Sequence, residues 1–179
     1  MKQETIVRQA VVETPRFVLR PLRASDVGLL ELYASDKRVA EMTTSIPHPL
    51  PPGAAEAMVA KAQRGERKEF VWAMDATEQG GSELMGMISL QQMDRNQSEV
   101  SYWVAPAMWN TGLASEAVKA LVAANPLNND TMFASVFQDN PGSARVLTNA
   151  KFAYLGDAEA FSVARNAKVP TWTYLRKLD

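Results

Sequence analysis

Midway along the chain the connections between apolar runs change character, and this change restricts the available folds more than any other feature. Phe70 to Met74, Leu84 to Leu90 and Glu99 to Val104 read as strands, separated by the polar turns Gln79-Gly80-Gly81-Ser82 and Asp94-Arg95-Asn96-Gln97. Such runs predict an antiparallel meander. Beyond Val104 the pattern becomes a helix from about Thr111 to Ala124, a strand from Met132 to Val136 and a helix from about Gly142 to Asn149. Strands at Phe152 to Leu155 and Thr171 to Leu178 follow. A meander followed by strand and helix alternation implies a mixed, mostly antiparallel central sheet with helices on its faces, an α/β fold of the α+β kind.

Ahead of the meander, Phe17 to Leu22 reads as a strand. Ser25 and Asp26 offer an N-cap to a helix with apolar positions Val27, Leu29, Leu30, Leu32 and Tyr33. From Met42 to Gly53 the prolines at 47, 49, 51 and 52 remove amide donors, so this stretch is an irregular loop. Ala54 to Arg64 resumes as a helix, stopped by Gly65. Residues 1–12 read as a tail or extra strand, and residues 13–179 as a single domain.

Composition excludes several function classes. Lys plus Arg number 19 against 20 Asp plus Glu, so no long-range field draws the chain to nucleic acid or an anionic membrane. With no cysteine, one histidine and no carboxylate motif, the sequence holds no recognisable metal site and no thiol nucleophile. Met1 to Arg20 contains no apolar run of signal-peptide length, and no later stretch approaches a membrane span. The expectation is a soluble, cytoplasmic protein.

Chemistry concentrates between Ser98 and Ala117. The strand Glu99-Val100-Ser101-Tyr102-Trp103-Val104 ends at Ala105-Pro106, and Trp109-Asn110-Thr111-Gly112-Leu113-Ala114-Ser115-Glu116-Ala117 opens a helix. First-turn amides of a helix lack internal partners and sit at the positive end of its dipole, where a diphosphate is a natural ligand. An ordinary loop, with Gly112 supplying flexibility and Trp103 and Trp109 filling the core, fits the same residues.

Tyr-Trp-Val, a proline two residues on, Trp-x-x-Gly-x-Ala and Glu-Ala, from Tyr102 to Ala117, resemble the acetyl-CoA segment of the GNAT superfamily. Asn140-Pro141-Gly142-Ser143-Ala144-Arg145-Val146-Leu147, with Phe152 after it, resembles that family's Asn-x-x-Ser-x-Arg-Val-Leu. The opening Glu13 to Leu22 with Ser25-Asp26 is similar to the first strand and helix of the ribosomal-protein acetyltransferase branch. The resemblance implies acetyl-CoA as co-substrate, bound at Tyr102, Trp103, Val104, Trp109, Asn110, Thr111, Gly112, Leu113, Ala114, Asn140 and Ser143. It also implies an amine acceptor, either a peptide N-terminus or a small amine, and allows a homodimer. Four positions depart from the pattern: Trp109 and Asn110 replace common family residues, Lys151 replaces the usual Gly before Phe152, and Leu147 stands where a thiolate-protonating tyrosine is frequent.

Acetyl transfer to an amine needs a base for the ammonium proton, a donor to the thioester oxygen and an acid for the leaving thiolate. Glu99, on the strand leading to the cofactor segment, is the candidate base, and equally reads as a solvated strand carboxylate. A backbone amide near Trp103 or Val104 is the candidate carbonyl polariser, and Ser143 or a water the candidate acid. Asn140 and Ser143 alternatively form a helix-capping cluster. His48 in the proline loop reads as a surface residue. The competing function is a catalytically degenerate domain that binds CoA as ligand or scaffold. A P-loop protein is disfavoured because no Gly-Lys-Ser/Thr follows the loop.

Overall fold

The computed structural model describes residues 9–65 and 67–179. The tail expected at the N-terminus therefore lies outside the described residues for positions 1–8, while Val12–Glu13 form a first short strand, β1. Strands β2 (Val18–Pro21), β3 (Glu69–Asp75), β4 (Gly86–Met93) and β5 (Gln97–Val104) follow it antiparallel, each beside its predecessor. Strand β6 (Thr131–Phe137) joins β5 in parallel, and the hairpin of β7 (Ala153–Ser162) and β8 (Ala167–Lys177) closes the sheet. The resulting eight-stranded order is β1-β2-β3-β4-β5-β6-β8-β7. This is the mixed, mostly antiparallel sheet that the two connection types require.

Helices α1 (Val27–Ala34), α2 (Lys37–Ala40) and α3 (Ala54–Ala62) belong to the N-terminal half; α4 (Leu113–Ala124) and α5 (Pro141–Asn149) to the C-terminal half. Strand alternation divides the core between the two faces. Trp72 and Met74 lie in one apolar cluster with Leu113, Ala117, Val118 and Leu121 of α4 and Ala144 and Leu147 of α5. Val71 and Ala73 lie in a second, with Leu30, Ala34, Val39, Ala55 and Val59 of α1 to α3. Each fully buried Leu or Val contributes about 1.5–3 kcal/mol by leaving water. No helix among the described residues is long and apolar enough to cross a membrane.

Three local expectations need correction. The run read as Phe152 to Leu155 and Thr171 to Leu178 is a much longer hairpin. Nearly all of β7 is exposed, so it carries no half-buried alternation by which sequence could announce it. The expected strand Leu84 to Leu90 starts later, at Gly86, and ends later, at Met93. Asp26 does not cap α1 with its side chain.

Asp26 is instead fully buried, and its two carboxylate oxygens accept from Arg20 Nη1 and Nη2 at 2.9 and 2.7 Å. Arg20 Nε donates to Asp75 Oδ2 at 2.6 Å. One guanidinium thus ties the end of β2 to the start of the helical segment and to the end of β3. Burial disfavours the charged guanidinium, but hydrogen bonds and charges from Asp26 and Asp75 outweigh it and raise its pKa. For Asp75, burial opposes ionisation while hydrogen bonds from Arg20 and Thr77 prevail, holding the carboxyl below the usual range.

Helix α5 ends in a Schellman motif. Phe152 N–H donates to Leu147 C=O and Lys151 N–H to Thr148 C=O, both at 3.0 Å. The residue at the left-handed position is Lys151, with φ 65°. This explains the family's glycine: a Cβ there costs on the order of 1 kcal/mol.

Two outcomes are expected in urea unfolding. Asp26→Ala should cost about 3 kcal/mol or more, because Arg20 is left buried without half its partners; a change below 1 kcal/mol would show that the cluster is not holding the fold. Lys151→Gly should stabilise by up to about 1 kcal/mol by relieving the positive φ, and a destabilised variant would show that the lysine side chain does more than tolerate its backbone.

Candidate functional site

Strands β5 and β6 pair in parallel from Gln97↔Thr131 to Glu99↔Phe133, and the pairing then stops. β5 continues to Val104 alongside β4, so its other edge from Val100 onward has no strand beside it. Parallel strands joined by a helix cannot both diverge and keep their ladder, so backbone groups along that edge are left for another partner. A cavity of about 430 Å³ opens at the divergence.

Every residue proposed from sequence for the cofactor lines this cavity: Tyr102, Trp103 and Val104 of β5, Trp109 to Ala114 of the following loop and helix start, and Asn140 and Ser143 of α5. Val39 and Met42, Met108, Ser115, and Gly142, Arg145, Val146 and Asn149 line it too. Gly142, Arg145 and Val146 fall inside the Asn140 to Leu147 motif, and Asn149 lies two residues beyond it. Val39 had no local signal, because the contact between α2 and this region is purely tertiary.

Asn110 and Gly112 take left-handed backbone, φ 61° and 80°. Gly112 is the N-cap of α4 and offers no side-chain cap, and the first intrahelical bond runs from Glu116 N–H to Gly112 C=O at 3.1 Å. The amides of Leu113, Ala114 and Ser115 therefore have no intrahelical acceptor. A carboxylate in this first turn, Glu116, would compete with an anion, but its charge is already engaged. Thr14 Oγ1 and Arg16 N–H donate to Glu116 Oε2 at 2.7 and 3.0 Å, and Arg16 Nε to Oε1 at 2.7 Å. Burial opposes the Glu116 charge; these donors outweigh it and lower its pKa. Arg16 Nη1 also donates to Thr111 C=O at 2.9 Å, fastening the loop.

Trp109 forms the rim. Its Nε1 donates to Val104 C=O at 2.7 Å, and the Arg38 guanidinium lies 5.7 Å above the ring. Trp103 is buried on the opposite sheet face, its ring edge-on to Tyr33 with centroids 6.4 Å apart. On the α5 side, Asn140 is the N-cap: its Oδ1 accepts from Ser143 N–H at 3.4 Å, and its Nδ2 donates to Ser143 Oγ at 3.0 Å. The capping cluster is thus real, and it also faces the cavity. Tyr102 OH donates to Ser143 C=O at 2.8 Å, and burial pushes its phenol well above the ordinary value.

Glu99 does not line the cavity. Strand alternation places it with Trp103 on the face toward α1 to α3, opposite Tyr102. It is half-buried, and burial raises its pKa. Leu147, at the tyrosine position of the motif, is fully buried in the core. His48 is exposed in the proline loop. No group of three His, Cys, Asp or Glu among the described residues is arranged to hold a metal.

Residues 16–153 match the family model for an acetyltransferase (GNAT) domain. No curated protein sequence matches the chain. Among solved structures, a GNAT-family acetyltransferase from Bacillus anthracis superposes with a TM-score of 0.79 at 18% identity, covering 94% of this chain and 98% of that one. A ribosomal-protein-S5-alanine acetyltransferase from Vibrio fischeri gives 0.76 at 17% identity, covering 96% and 98%. A spermidine N-acetyltransferase from Vibrio cholerae, solved with CoA and spermine, gives 0.73 at 16% identity, covering 89% and 95%. These identities speak for a shared fold; the family match spans most of the chain, which belongs to the GNAT acetyltransferases, enzymes that draw their acetyl group from acetyl-CoA.

Proposed function

We propose that this chain is an N-acetyltransferase that moves the acetyl group of acetyl-CoA to a primary amine by direct attack in a ternary complex. The observation that carries the reading is the unpaired edge of β5 beside the uncapped start of α4, both on one cavity. In this reading the amides of Leu113, Ala114 and Ser115 hold the diphosphate, with the loop from Trp109 to Gly112 around it. The pantetheine arm runs along Tyr102 to Val104 as an added strand, and Asn140 and Ser143 flank the thiol end.

The amine nitrogen attacks the thioester carbonyl, forming the C–N bond as the C–S bond breaks. An amide near Trp103 or Val104 donates to the oxygen as its charge grows. Glu99 takes the amine's proton through water, since the carboxylate lies off the cavity. Ser143 Oγ or a water returns a proton to the thiolate. Burial raises the Glu99 pKa, which makes its carboxylate a stronger proton acceptor than an exposed one. The acceptor is a peptide or protein N-terminus or a small amine; structural relatives named for a ribosomal-protein alanine and for spermidine support each choice. A CoA-binding domain without turnover is the second reading, favoured by Leu147, whose burial in the core leaves no phenol at the motif's tyrosine position.

Titration with acetyl-CoA, CoA and ATP, read by thermal unfolding, tests the binding step. A ligand at 100 times its Kd stabilises by about 2.7 kcal/mol, so both CoA species should raise the transition clearly and ATP should not. Equal response to ATP, or none to either CoA species, would remove the reading. Gly112→Asp should weaken acetyl-CoA at least about tenfold by setting a carboxylate against the phosphates. Gly112→Ala controls for the strain at positive φ, and equal losses in the two variants would deny the electrostatic role.

Glu99 gives a pH prediction in two parts. The rate should fall as pH drops through its elevated pKa, and Glu99→Gln should remove that limb along with most turnover. Stability runs the other way. A carboxyl whose folded pKa is raised resists ionisation, so the penalty is absent below the unfolded value of about 4.3 and complete above the folded one. Glu99→Gln should therefore be more stable than the parent at pH 8 and equal to it near pH 4. An unchanged acid limb in Glu99→Gln would clear Glu99 of the base role.

A further inference from the structure

The turn of the β7–β8 hairpin, Val163 to Asn166, reaches across the end of the sheet to two segments that sequence places far apart. Arg165 Nη2 donates to Glu41 C=O at 2.9 Å and its Nε to the same oxygen at 3.2 Å. Its Nη1 donates to Asp139 Oδ2 at 2.5 Å, and Nη2 to Oδ1 at 3.2 Å. The guanidinium carbon lies 5.1 Å from the centre of the Phe137 ring. Val163 N–H donates to Thr44 C=O at 3.1 Å, and Ala164 packs against the apolar cluster beneath α1 to α3.

Both anchors adjoin the cavity. Glu41 immediately precedes Met42, which lines one wall together with Val39; Asp139 immediately precedes Asn140, which with Ser143 lines the wall opposite. We propose that Arg165 is a positioning residue that sets the gap between these two walls, where thioester and amine must meet. A planar guanidinium suits the task because its rigid fork can hold a carbonyl and a carboxylate at once, as an ammonium on a flexible stem cannot. The aromatic ring beneath restricts the fork further. The α4 end of the cavity lies outside this clamp, held by Arg16 and Glu116. The clamp therefore governs alignment of the reacting groups and leaves anchoring of the phosphates to α4. Alignment is sensitive, since displacement of reacting atoms by about 1 Å costs on the order of a hundredfold in rate.

This proposal rests on the acetyl-CoA reading of the cavity, and its test separates the two. Amide exchange of the full chain is compared for the parent, Arg165→Ala, Arg165→Lys and Asp139→Asn. Arg165→Ala should speed exchange at Met42, Thr43 and Asn140 by at least about tenfold while leaving Glu116 unchanged. Asp139→Asn, which takes the charge and one acceptor oxygen from one arm, should loosen Asn140 and spare Met42. With a peptide beginning in alanine as the acceptor probe, Arg165→Ala should lower kcat at least about tenfold, keep the acetyl-CoA Kd within about threefold, and be partly rescued by Arg165→Lys. Exchange unchanged in either segment overturns the proposal, as does an acetyl-CoA Kd that weakens as much as kcat falls. If the parent acetylates no amine and binds no CoA, the cavity reading fails by itself, and the exchange data still decide whether Arg165 holds the two walls.

Discussion

The candidate site depends on the end of a single parallel ladder. After Glu99↔Phe133 the two central strands part, and the divergence leaves an unpartnered backbone edge inside an otherwise continuous sheet. An edge of that kind is normally paired, covered or a liability. Here the loop leaving β5 turns through left-handed backbone at Asn110 and Gly112 and brings the start of α4 to the same opening. Two kinds of unsatisfied donor, a strand edge and a helix start, are thereby set on one cavity, and a ligand with an extended amide-bearing arm and a diphosphate matches both. Polar and apolar roles divide by strand alternation: Tyr102 faces α5, while Glu99 and Trp103 face the N-terminal helices.

Arginines convert this local geometry into a fixed one. Arg20 holds β2, β3 and the start of the helical segment through Asp26 and Asp75. Arg16 neutralises Glu116 and pins Thr111, so that the start of α4 retains its positive character. Arg165 bridges the segments ahead of Met42 and Asn140. Each uses several donors of one planar group, which fixes angle as well as distance. The Arg20 pairs are buried and the others partly exposed; exposed ion pairs add little to stability, so the contribution of Arg16 and Arg165 lies in placing the chain.

The departures from the family motifs have different physical weights. Lys151 keeps the left-handed backbone that a glycine would adopt freely, so the motif's geometry survives at a small cost in strain. Trp109 and Asn110 change side chains in a loop whose main work is done by its backbone, and Trp109 gains a bond to Val104 and a place beneath Arg38. Leu147 is different: it removes a hydroxyl and contributes a fully buried apolar group to the core beneath α5. Any proton for a leaving thiolate must then come from elsewhere on the cavity wall.

The order of elements, the mixed sheet and the segment from Ser98 to Ala117 were legible in the sequence, because periodicity, turn residues and helix starts are local and leave local marks. Val39, α2 and the full length of the β7–β8 hairpin were not: an exposed strand has no alternation to show, and a residue that meets the cavity only through tertiary contact carries no pattern of its own. Asp26 shows the limit most plainly. Its position beside Ser25 is that of a helix cap, and only the folded chain, by bringing Arg20 and Asp75 to it, makes it one arm of a buried ionic cluster. Sequence by itself determined most of the strands and helices and the glycine-marked turn that opens α4. Tertiary structure alone decided which charges would meet and where the strands would part, since both depend on distances between residues that the chain brings together only when it packs.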